Sequence, residues 1–118
     1  KEDFKTIRKA MDQINQLSIK TNPLSSNQLN RWVMTKDQHA NNIQKIVSEY
    51  FLTQRVKADK SQKYIDQTTT LHQLLVATMK CKQTIDDSNV VHGIQLVDTF
   101  VGHYFDSHGL DHLKKLTE

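Results

Sequence analysis

Apolar side chains recur every three to four positions along most of this chain, with polar ones filling the gaps. Phe4, Ile7, Met11, Ile14 and Leu17 step by three, four, three and three, which predicts a helix with one apolar face. Lys5, Arg8, Lys9 and Asp12 fall on its wet side. The pattern stops at Thr21-Asn22-Pro23, because proline disfavours helix in the residue before it.

A second start follows at once. Ser25 and Gln28 have capping-box spacing, in which a hydroxyl takes an orphan amide and the Gln side chain reaches back. They open a short helix with Leu29, Trp32 and Val33 on its apolar face. Thr35 and Gln38 repeat that spacing and open a longer helix, with Ala40, Ile43, Ile46, Val47, Tyr50 and Phe51 facing inward. The stretch from Arg55 to Lys63 is almost free of apolar residues and reads as an exposed helix end plus a connection. One continuous helix is its alternative.

Tyr64, Thr68, Leu71, Leu75 and Met79, with Leu74 widening the face, predict a further helix. The β-branched run Thr68-Thr69-Thr70 blurs where it starts. Asp86-Asp87-Ser88 supplies N-cap candidates for a helix carrying Val90, Ile94, Val97, Val101 and Phe105. A strand is the alternative over the β-branched stretch 90–101. Gly109 suits a helix stop, and Leu110, Leu113 and Leu116 mark a short tail. The expected fold is all-α: a compact bundle of five to six helices with short connections, forming one domain over residues 1–118.

Composition supports that picture. Three glycines and one proline are too few for a turn-rich sandwich or barrel. Hydrophobic residues make up 36% of the chain, so a thin core and a wide polar surface follow. Net charge is +3, from 16 basic and 13 acidic side chains, an excess that permits an anionic partner without requiring one. Cys81 is the lone cysteine, which excludes an intrachain disulfide and favours a reducing, cytoplasmic compartment. No apolar run is long enough to cross a membrane. The chain begins at Lys1 rather than Met, so a removed upstream signal or neighbouring domain is left open.

Four histidines, His92, His103, His108 and His112, crowd the last part of the chain. His108 and His112 would share a helical face and, with His103, form the candidate metal set. Gly109 interrupts that face, and no recognised zinc spacing is present. Surface and helix-terminal histidines are therefore the preferred reading. No nucleophile elbow, P-loop or dinucleotide fingerprint occurs, so no catalytic residue and no cofactor is assigned.

Two features suggest nucleic acid. Arg55, Lys57, Lys60 and Lys63 are opposed by Asp59 alone and could neutralise phosphates. The segment 25–33 is like the recognition helix of a helix-turn-helix, with Ser26, Asn27, Asn30 and Arg31 placed to face bases. Trp32, Leu52, Val56 and Tyr64 are the candidate protein-binding anchors. The expected function is a small non-catalytic regulatory domain that docks on a protein, with a nucleic-acid-binding domain as the alternative and self-association left open.

Overall fold

The computed structural model describes residues 1–104. Among them four helices follow in order: α1 (Glu2–Leu17), α2 (Pro23–Lys45), α3 (Gln62–Gln83) and α4 (Ser88–Tyr104). Between α2 and α3, residues Ile46–Arg55 carry the α2 rod onward as ten residues of π-helix. Gly109, the Leu110–Leu116 tail and Phe105 lie outside the described residues. The strand alternative for 90–101 is excluded, since all of these residues are helical.

The expected count of five to six helices falls because the two predicted between Ser25 and Phe51 are one rod. Asn22, not Ser25, caps it: its side chain accepts from the Ser25 amide at 2.8 Å. Pro23 takes the first helical position, where its missing N–H costs nothing. Thr35 opens no new helix. Its hydroxyl donates to the Arg31 carbonyl at 3.0 Å, a bond made inside a helix. The helix-turn-helix analogy fails for the same reason, because residues 25–33 are the first third of a longer rod. The connection read at 55–63 is present: α3 starts after Ser61, whose hydroxyl accepts from the Tyr64 amide at 3.2 Å.

Cross-helix contacts fix the topology. Asp3 meets His39, and Lys9 lies over the Trp32 ring, so α1 and α2 run antiparallel. Lys36 reaches Cys81 near the end of α3, while Val47 and Phe51 further along the rod border one apolar cleft with Leu71 and Leu74, which reverses α3 against α2. Gln67 bonds His103, which reverses α4 against α3. Lys1–Asp98 and Arg8–Asp87 ion pairs close α4 onto α1. The result is an up-down-up-down bundle.

Its core joins Phe4, Ile7 and Met11 of α1 to Ala40, Ile43 and Val47 of the α2 rod. Leu71, Leu74, Ala77 and Cys81 come from α3, and Val90, Leu96 and Phe100 from α4. The α3 and α4 faces are turned relative to the predicted ones. Met79 is exposed, while Gln67, Thr70 and Thr78 are buried. The two threonines bury cheaply because their hydroxyls donate to the carbonyls of Asp66 (2.8 Å) and Leu74 (2.6 Å). On α4, Gly93 sits in the seam and the Phe4 ring packs against it. Leu75 and Ile94, predicted for the core, are only partly buried against it.

Candidate functional site

The π-helical segment is the most unusual stretch of backbone in the bundle. Beside a side-chain bond from the Thr53 hydroxyl to the Ser48 carbonyl at 2.7 Å, the Val56 amide donates to the Phe51 carbonyl at 2.8 Å, five residues back. That spacing defines a π-helix, and such turns concentrate at functional sites. Ile46 at its start and Tyr50 within it, both predicted to face inward, are each 47% exposed.

An aromatic group gathers where this segment meets the end of α4. Phe51 lies edge-to-face with Tyr50, Phe100 and Tyr104, and Phe100 stacks on Tyr104. Arg55 Nε donates to the Tyr104 hydroxyl at 2.6 Å, and its guanidinium lies about 6 Å from the Tyr50 and Tyr104 ring centres, within cation–π range. The tyrosine hydrogen bond raises the guanidinium pKa above its ordinary value.

Lys57, Lys60 and Lys63 are exposed along the chain that follows. The Asp59 carboxyl among them is held below its usual range by the Ser61 hydroxyl and amide. Arg55 is therefore bound into the aromatic group, and the four basic residues do not act as one free cationic face.

Ser26, Asn27, Asn30 and Arg31 are exposed on α2. Arg31 shares a shallow cleft with Gln13, Gln28, Trp32 and Thr35. Trp32 is partly buried there, under Lys9. Leu52 and Val56 are not outward anchors, because both pack against the core. Leu52 lies within the π-helix, and Val56 follows it in extended backbone, so an α-helical wheel places neither. Tyr64 is partly buried in the first turn of α3. The larger exposed apolar side chains are Ile19 and Leu24, at either side of the α1–α2 turn, and Met34.

Donors for a metal are scattered. His39 Nδ1 pairs with Asp3 Oδ1 at 2.6 Å across α1 and α2. His72 and His92 line a cleft between α3 and α4 together with Lys80. His103 is partly buried in the last turn of α4. His108 and His112, the other members of the candidate metal set, lie outside the described residues. Cys81 is fully buried on α3, and burial pushes its thiol up from 9.0 to about 11. Among the described residues no three His, Cys, Asp or Glu side chains converge on one point.

Sequence reasoning passed over Lys36, one of the better-satisfied polar groups in the bundle. It is 3% exposed, and its ammonium donates to the carbonyls of Cys81 (2.8 Å), Lys82 (2.8 Å) and Thr84 (3.1 Å). Lys36 falls one turn before Ala40 on the inner face of α2, a lysine at an apolar position, and that was the available signal.

Comparison with known proteins gives one match. Residues 2–108 fit the family model described as nickel-containing superoxide dismutase. No curated protein and no solved structure matches. This finding overturns the expectation of a non-catalytic docking or regulatory domain, and that of a nucleic-acid-binding domain, because the match is to an enzyme.

The family's description implies nickel, and the described residues do not fit it. Imidazole nitrogen suits nickel, and a cysteine binds metal only as its thiolate. Here the thiol is buried and held protonated, and the described imidazoles are dispersed over α2, α3 and two positions three turns apart on α4.

Proposed function

Because this chain belongs to the nickel-containing superoxide dismutase family, we propose that it works in superoxide disproportionation. In that reaction two superoxide anions and two protons become dioxygen and hydrogen peroxide. The observation that carries the reading is the family match over residues 2–108, which spans all four helices.

The scatter of donors over residues 1–104 supports assigning the bundle a scaffolding part, with nickel ligands drawn from elsewhere. No electron-transfer step is assigned to a side chain of α1–α4. The lone thiol at Cys81 supports a reducing, cytoplasmic setting for the enzyme.

The test is elemental analysis of the full gene product, followed by superoxide decay with and without nickel. Superoxide loss that rises with nickel occupancy is the expected result. A protein that takes up no nickel, or a loaded one no faster than the free ion, would overturn the proposal.

A further inference from the structure

The described helices leave one side of the core uncovered. An apolar groove opens where the π-helical segment passes the start of α1, α3 and α4. Leu71 and Leu74 form its floor, Val97 and Val101 one wall, and Ile46 and Phe51 the other. Ile46 is among the larger exposed apolar side chains of the bundle, and Val97 and Val101 are only partly buried. Polar groups border the groove at one end, and they are already paired, Lys1 with Asp98 and Asp3 with His39.

The chain leaves the bundle from the wall of that groove. Tyr104, the last residue of α4, stacks on Phe100 and lies edge-to-face with Phe51, and both of those rings border the groove. Residues 105–118 follow and lie outside the described residues. Their sequence joins a break to an apolar pattern. Gly109 permits the chain to reverse. Leu110, Leu113 and Leu116 come after it, with Asp111, Lys114 and Lys115 between them.

The lengths agree. From Tyr104 back to Val97 is about 10 Å along α4 at the helical rise. Leu110 to Leu116 spans about 9 Å if helical and about 20 Å if extended. In either form the three leucines reach the α4 wall of the groove.

We propose that residues 110–116 of this same chain fold back over the groove, setting Leu110, Leu113 and Leu116 against Ile46, Val97 and Val101. Removing three leucine side chains and the groove lining from water offsets the ordering of so short a segment. The paired charges at the rim leave apolar contact as the basis of docking. A segment tethered at the groove's own wall also acts at high effective concentration, an advantage that no separate partner has. The proposal is independent of the superoxide reading.

The test uses the full chain with Thr117→Cys carrying a nitroxide spin label, while methyl resonances are followed. Cys81 is fully buried and does not compete for the label. Ile65 is the matched control. It is exposed in the first turn of α3, at the same end of the bundle, and does not border the groove. Docking predicts that the Ile46, Val97 and Val101 methyls lose intensity several times more than Ile65 does. Leu113→Gln should abolish that difference and leave the helical circular dichroism unchanged. The labelled chain with Leu113 intact keeps the test decisive if the glutamine variant does not fold.

Three outcomes would overturn the docking. One is equal loss at Ile65 and at the groove, the signature of a tethered but undocked segment. Another is a difference that persists in folded Leu113→Gln. The last is loss at the groove of an unlabelled, isotope-enriched chain mixed with labelled chain, which would mean that the segment of a second copy occupies the site.

Discussion

The ammonium of Lys36 lies 2.8 Å from the carbonyl oxygen of Cys81, joining the middle of α2 to the end of α3. The last carbonyls of any helix lack intrahelical partners. Here one buried cation serves three of them, at Cys81, Lys82 and Thr84, and its charge also suits the negative end of the helix dipole. Asp37 stands 3.4 Å away as a countercharge.

Lys36→Met keeps the stem and removes the donor. It should destabilise the bundle by about 2–4 kcal/mol, since it strands carbonyls that the fold shields from water. Urea unfolding measures this, and amide exchange should quicken first in the last turn of α3. A loss under about 0.5 kcal/mol, the range of an ordinary surface change, would show that water replaces the lysine freely.

Gly93 and Gly102 make a matched pair on α4. A methyl group at Gly93 would sit 2.5 Å from two ring atoms of Phe4, and that ring is 1% exposed with little room to retreat. Gly93→Ala should cost about 1–3 kcal/mol through overpacking. At Gly102 the added methyl meets nothing within 4 Å, so Gly102→Ala should stabilise by about 0.4–1 kcal/mol through reduced freedom of the unfolded chain. Thermal unfolding of the two variants side by side checks the contrast. Equal effects would contradict the close approach of α1 to α4.

The buried thiol predicts an alkaline weakness. Cys81 holds its proton up to about 11 in the fold and up to 9.0 when unfolded. A raised folded pKa gives a stabilising contribution that is complete below 9 and is lost as pH climbs towards 11. Between about pH 8 and pH 10.5 the native chain should lose about 2 kcal/mol more stability than Cys81→Ala does. Comparing the two at each pH cancels the lysines they share. Parallel losses would mean that the thiol does not titrate differently in the fold.

How much of this was legible in the sequence varies from helix to helix. The α1 stripe is all large aliphatic or aromatic residues, and every one is buried. On α3 and α4 the true seam runs through Thr70, Ala77, Thr78 and Gly93. These are small or polar residues that a search for large apolar side chains passes over, so both faces were read slightly rotated. The capping spacings at Ser25 and Thr35 were real patterns without real caps: Asn22 caps the rod three residues earlier, and the Thr35 hydroxyl turns back to the Arg31 carbonyl. No apolar period announces five-residue hydrogen bonding, so the π segment was invisible. The enzyme family was invisible too, since the described histidines and cysteine form no cluster that chemistry would single out.

The order in which the helices meet has a bearing on how the chain comes together. Three of the four seams join neighbours along the chain and can zip up locally, soon after synthesis supplies each turn. The fourth joins α1 to α4, held by Lys1–Asp98, Arg8–Asp87 and the Asn15–Ile85 bond. It pairs the two ends of the bundle and carries the largest loop-closure entropy. The loop it closes is the longest of the four, so this pairing should be the last to form and the first to open in denaturant.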